Sequence, residues 1–129
     1  MTGIRVHDPE FVRAHVPAYL ERSLQLALAG LPAPFFTFRE GAAIVVVVER
    51  QEWERLSPRF PAAVTTAGFR LVSVTAPGSD PAFPARLKQV LAAGGVRATL
   101  LPSFHNDHVL VSAAELDRCV ALVTAALDG

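Results

Sequence analysis

The sequence predicts an α/β protein of the α+β kind, with antiparallel sheets and helices on one face, and three observations lead there. Short runs rich in β-branched and aromatic residues, such as Ala43-Ile44-Val45-Val46-Val47-Val48, read as strands. Other stretches keep the period of an amphipathic helix, most plainly Phe83, Leu87, Val90 and Leu91. From Phe69 onward the two kinds follow one another in the order β-α-β-β-α.

In the first half, Asp8-Pro9-Glu10-Phe11 is expected to begin a short helix, because Asp8 can cap free amides and Pro9 suits the first helical position. Phe11, Val12 and Val16 would share one side, and Pro17 would end it. Leu24, Leu26 and Leu28 alternate within Ser23–Ala29 and put one face on a strand, although Leu20, Leu24 and Leu28 also line up on a helix. Phe35-Phe36-Thr37-Phe38 and the valine run form a hairpin turned at Glu40-Gly41. Four valines without polar alternation place the second strand centrally, covered on both faces. Glu49 to Leu56 reads as a short helix with Trp53 and Leu56 inward, ended by Pro58 and Pro61.

The second half is more regular. Phe69 to Thr75 is a strand, Ala76-Pro77-Gly78-Ser79 a loop, and Asp80-Pro81 the start of a helix that Gly94-Gly95 stops. Strands at Val96–Pro102 and His108–Val111 flank a tight turn. The last helix opens with a capping-box pair, Ser112 and Glu115, and carries the stripe Leu116, Cys119, Val120, Val123 and Leu127. A ferredoxin-like βαββαβ unit needs one more strand than this half supplies. An unpaired edge is a liability, so Ser23–Ala29 or a partner chain is expected to cover it, which makes the two halves interdependent.

A chain of 129 residues, 51% of them apolar, suffices for one compact domain or two very small fused ones. Twelve basic residues balance twelve acidic ones, so the field that draws nucleic acid or an anionic membrane is missing, and neither is an expected partner. The single cysteine, Cys119, sits in a helical apolar stripe and reads as a packed thiol in a reducing cytoplasm. No apolar run approaches the ~20 residues of a transmembrane helix, and Met1-Thr2-Gly3-Ile4-Arg5 is unlike a signal peptide. Low charge with abundant Ala, Val and Leu in so short a chain points to a homodimer.

The segment Ser103-Phe104-His105-Asn106-Asp107-His108-Val109-Leu110-Val111 sets a sharp polar turn between two strand patterns. With its context it bears a family likeness: Phe69–Val111 resembles an ACT domain. The hairpin is similar to that of ACT-like proteins related to the cytosolic arginine sensor and their small bacterial relatives, through the pattern Phe-x-x-Asp-His/Tyr-hydrophobic-Leu/Phe-Val. Phe36-Thr37-Phe38-Arg39-Glu40 and the valine strand extend the resemblance to Ser23–Leu127. It implies two tandem, interdependent ACT-like units, residues 1–66 and 67–129, forming one compact body. It further implies a non-catalytic regulatory or sensing module that binds a small molecule, typically an amino acid, at an interface between units and needs no cofactor. Ligand contacts would come from the loop Ala76, Pro77, Gly78, Ser79 and Asp80 and from the turn residues Ser103, Phe104 and Asp107. Gly78 would let the backbone approach the ligand, the amides at the Asp80 helix start could receive a carboxylate, and Asp107 could accept an ammonium. Two departures stand against this: Asp80 occupies the place where a carboxylate would dock, and Pro77 and Pro81 remove amide donors.

Plainer roles compete with each of these. Asn106-Asp107 is a good turn former without any ligand, and Phe104 can be a packing residue, as can Trp53. His105 and His108 could bind a metal, but neither Cys119, His7 nor His15 supplies a third ligand at a recognisable spacing. With no phosphate loop, no legible Ser-His-Asp set and no carboxylate pair in an apolar setting, the chain does not read as an enzyme. The alternatives to a ligand sensor are a protein interaction or oligomerisation module and a small metal-binding protein.

Overall fold

The computed structural model describes residues 3–32, 34–76, 80–102 and 106–128. The chain divides into two compact units, one inserted in the sequence of the other. Pro9–Gly68 forms the inserted unit, and Met1–Asp8 with Phe69–Gly129 forms the flanking unit.

In the inserted unit the order is β2 (Phe11–Pro17), α1 (Glu21–Leu28), β3 (Phe36–Glu40), β4 (Ala43–Glu49), α2 (Arg50–Leu56) and the first residues of β5 (Val64–Thr75), the strand β1 (Gly3–Val6) having gone before. The strand order is β3-β4-β2-β5, and both β3 and β2 pair with β4 antiparallel. Val12, Ala14 and Val16 lie opposite Val48, Val46 and Ile44 on the face that α1 and α2 cover, and Leu24, Leu28, Trp53, Leu56 and Phe60 complete that core. Trp53 stacks on Phe60 with ring centroids 6.3 Å apart, and its indole N–H donates to Thr65 Oγ1 at 3.0 Å. The valine run is central as expected: Val45, Val46 and Val47 are wholly buried.

Two elements differ from expectation. Phe11–Pro17 is a strand, not a helix begun at Asp8. Val12 and Val16 are β-branched, and Val12, Ala14 and Val16 alternate against β4, so pairing outweighs the helix-start signal of Asp8-Pro9. Ser23–Leu28 lies in helix α1, with Ala29 as its C-cap, and not in a strand. It holds no β-branched residue, and Leu24, Ala27 and Leu28 form the buried stripe while Leu26, the residue that suggested alternation, is 66% exposed.

In the flanking unit the remainder of β5 leads to α3 (Phe83–Ala93), β6 (Ala98–Pro102), β7 (Asp107–Ser112) and α4 (Leu116–Asp128). The missing strand is β1, which pairs antiparallel with β5 from Gly3↔Thr75 to Val6↔Val72. Neither Ser23–Ala29 nor a partner chain fills that place; two apolar residues, Ile4 and Val6, were too short a pattern to announce it. The resulting order, β1-β5-β7-β6, repeats the βαββαβ arrangement of the inserted unit with its last strand taken from the start of the chain. Val72, Val74, Val109 and Val111 face α3 and α4 and pack with Phe83, Leu87, Leu91, Cys119 and Val123.

The helix ends are built differently from one another. Gly95 takes φ +77°, the left-handed conformation that closes α3, whereas Gly94 leaves room for Leu122, which a Cβ there would meet at 2.3 Å. Ser112 donates to the Glu115 carboxylate at 3.3 Å instead of capping amides, because a 3-10 turn at Ala113–Glu115 precedes α4.

Candidate functional site

Alternation along β5 and β7 sends Val72, Val74, Val109 and Val111 to the helices, so Ser73, Thr75 and His108 emerge on the opposite face of the flanking sheet. The register aligns Arg5, Ser73 and His108 across β1, β5 and β7. His7, just past β1, returns to the same place. Its Nε2 lies 2.8 Å from Ser73 Oγ, and that oxygen lies 2.7 Å from His108 Nδ1. Next to this relay, Thr75 donates to Asn106 Oδ1 at 2.9 Å. The His7 backbone is held twice, its amide donating to the Leu71 carbonyl at 2.9 Å and its carbonyl accepting from the Arg70 guanidinium at 2.9 Å.

One hydroxyl between two imidazoles can donate to one and accept from the other. That arrangement accepts two neutral rings or one charged ring, but two imidazolium ions would leave the hydroxyl proton without an acceptor between them. Burial lowers the pKa of both histidines; for His7 the neighbouring Arg5 and His108 add to the effect and Asp8 works against it.

The residues implied by the resemblance fall in several places. Pro77, Gly78, Ser79, Ser103 and Phe104, and with them His105, lie outside the described residues. Ala76 borders the helix-side core of the flanking unit. Asp107, opposite Val74 and Pro102, shares the parity of Val109 and Val111 and so lies on the helix side, away from the histidine relay. Burial raises its pKa. Asp80 is engaged with its own helix: Oδ1 accepts the Ala82 amide at 2.9 Å and Oδ2 the Arg86 guanidinium at 3.2 Å. These contacts, the amide first, lower its pKa.

His7, Ser73 and Thr75 carry no local pattern that marks them as one group, since His7 and Ser73 are far apart in the chain and only the β1–β5 pairing brings them together, whereas Asn106 belongs to the polar turn read as a turn former. Among the described residues no group of three or more His, Cys, Asp and Glu side chains could hold a metal ion. Cys119 is fully buried, and burial, with a smaller contribution from Glu115, pushes its thiol up to about 11. Such a thiol is a packing group and not a nucleophile. No described helix is long and apolar enough to cross a membrane.

Two βαββαβ units with antiparallel sheets, each covered by two helices on one face, make up an ACT-like fold. Solved structures give that class its particulars. Aspartokinase alpha and beta subunits match with a TM-score of 0.78 at 16% identity, over 98% of this chain and 98% of that one. The ligand-free regulatory subunit of aspartate kinase from Thermus thermophilus matches with a TM-score of 0.70 at 16% identity, over 96% of both chains. The aspartate kinase of Clostridium acetobutylicum, described as an allosteric enzyme, matches with a TM-score of 0.77 at 13% identity, over 98% of this chain and 34% of that one. No protein-family model and no curated protein matches the sequence. The chain therefore has the fold of aspartate kinase regulatory domains, and the enzyme's remaining length has no counterpart in it.

Proposed function

We propose that this protein is a regulatory or sensing module, without a reaction of its own, that binds an amino acid or a similar small metabolite at an ACT-type interface. The observation that supports this reading is the match, across nearly the full length of both chains, to a regulatory subunit of aspartate kinase. The ligand is held by the loop Ala76–Asp80 and by Ser103, Phe104 and Asp107. Because the carboxylate of Asp80 already takes the Ala82 amide and Arg86, the ligand's own carboxylate uses other donors, and Asp107 receives its ammonium. The module works in the cytoplasm as a homodimer, and its output passes to another polypeptide.

Thermal-shift measurement against the free amino acids tests this. A ligand at a hundred times its dissociation constant adds about 2.7 kcal/mol of stability, which a melting curve resolves easily. Asp107→Asn is expected to fold, since it removes a carboxylate whose ionised form burial disfavours, and to lose the shift. No shift from any amino acid at millimolar concentration would overturn the reading, as would a shift that Asp107→Asn leaves unchanged.

A further inference from the structure

The face of the flanking sheet opposite its helices holds a cluster that the proposed ligand contacts do not use. His7 follows β1, Ser73 lies on β5 and His108 on β7, with Ser73 Oγ 2.8 Å from His7 Nε2 and 2.7 Å from His108 Nδ1. Arg5 stands beside Ser73 in the register, on the same face. Arg5 is exposed and the other three residues are partly so, which leaves the row open to a solute. Asp107 is on the other face, toward the helices.

The charges around this row are unequal. Arg5 and His108 disfavour a charge on His7, and Asp8 alone among the groups that act on it favours one. On β6 the neighbour of His108 is Leu101, which carries no charge, and the Arg70 guanidinium of β5 is engaged by the His7 carbonyl. With both rings protonated, Arg5 and two imidazolium ions therefore face one carboxylate, an excess of two positive charges. The Ser73 hydroxyl cannot relieve that state by itself. It can accept an N–H from each ring, but its own proton then points away from both and needs an acceptor. Burial also lowers the pKa of both rings, so without such an acceptor the row stays largely unprotonated at neutral pH.

We propose that this row is a proton-gated site for a dianionic phosphoryl group, either inorganic phosphate or the monoester of a small metabolite. Its oxygens accept the Ser73 hydroxyl proton and the Arg5 guanidinium, and its two negative charges match the excess created by protonating His7 and His108. A carboxylate leaves one of those charges uncompensated. A metal ion fits worse, because two imidazoles fall short of the three or four protein ligands of a stable site and Arg5 repels a cation. A phosphate monoester takes its second proton near pH ~6, so ligand and rings titrate in one window and binding is strongest at about that pH. The site uses none of the contacts assigned to Asp107 and the Ala76–Asp80 loop, and it stands or falls separately from them.

NMR titration of the full chain tests the proposal, following the imidazole resonances of His7 and His108 together with the backbone amides. The probes are sulfate, inorganic phosphate and methyl phosphate. Sulfate keeps both charges between pH 8 and 5, so its pH dependence belongs to the protein. Saturable shifts are expected at residues 5–7, 73 and 108, with sulfate binding tightening by up to about tenfold per pH unit as the solution is acidified and both histidine pKa values rising in its presence. Methyl phosphate binding as well as inorganic phosphate would assign the site to a metabolite ester, and inorganic phosphate binding alone would assign it to the free ion; either supports it. Arg5→Gln and Ser73→Ala are each expected to weaken sulfate about tenfold. Changing both histidines to asparagine is expected to remove the pH dependence, and His108→Asn alone to reduce it if the double variant does not fold. The amide spectrum of each variant reports its fold. Four results would overturn the site: sulfate affinity that is flat with pH, acetate binding as tightly as sulfate, affinity unchanged in both Arg5→Gln and Ser73→Ala, or no saturable shift at these residues from either phosphate probe at tens of millimolar.

Discussion

The two units run through the same order of elements, yet they finish their helix-side layers differently. In the flanking unit the edge strand β6 turns Ala98 and Leu100 toward the helices, opposite Val111 and Val109, and the apolar layer extends to the edge. In the inserted unit the edge strand β3 turns Thr37 and Arg39 that way, and a cavity remains under α1. Two residues on one short strand thus separate the two layers without any change of topology. The opposite faces differ too. The flanking sheet carries the His7–Ser73–His108 relay, whereas β2 and β4 bury Phe11, Val45 and Val47.

The largest effect is expected from deleting residues 1–6, because the flanking unit, unlike the inserted one, takes a strand from the start of the chain. The deletion exposes one edge of β5 and strips Ile4 and Val6 from the core, a loss on the order of 3 kcal/mol or more. Hydrogen exchange is the measurement: protection in 69–75 and 107–112 falls well before that in β4. Equal loss in both units would remove the distinction drawn between them.

A smaller contrast compares truncations in the two cores. Leu87, wholly buried in the flanking unit's core, is expected to lose about 4 kcal/mol as alanine, and Leu24, which already borders an open cavity, about 2. Denaturant unfolding of the two variants decides; if Leu24→Ala costs as much as Leu87→Ala, the groove under α1 is closed in solution.

The smallest effect concerns pH and arises from the flanking unit's two histidines. His7 and His108 have folded-state pKa values below the ordinary 6.5, so the unfolded chain binds more protons around and below that pH. Stability is therefore complete above the ordinary value and declines as pH falls through 6.5 toward the lowered values. Asp107, whose pKa is raised, acts in the opposite direction in a lower window, where its protonation favours the fold. Urea midpoints between pH 8 and 5 are expected to fall on the acid side for the parent and to flatten for a variant with both histidines changed to asparagine. A flat profile for the parent would remove the relay as the difference between the two faces.

The pattern of the sequence carried some of these elements and not others, for physical reasons. The valine strand, the hairpin at Glu40-Gly41 and the helix stop at Gly94-Gly95 are legible because their signals are local. Helix α1 was ambiguous because Leu24, Leu26 and Leu28 satisfy one period and Leu24 and Leu28 the other, and only packing separates them. Strand β1 was invisible, since four residues cannot show a period and the pairing partner lies beyond an entire unit. The polar row was equally hidden. Ser73 is an ordinary strand hydroxyl until β1 and β7 deliver an imidazole on either side, and of the two histidines in the polar turn region, His108 joins that relay while His105 lies outside the described residues.

The insertion of Pro9–Gly68 between Gly3–Val6 and its partner β5 also sets a timetable for vectorial synthesis. At ~5–20 residues per second, a ribosome takes roughly 3–12 s to pass the inserted segment, during which the first strand has nothing to pair with. Its brevity, and Arg5 near its centre, make it a poor template for a neighbouring nascent chain while it waits.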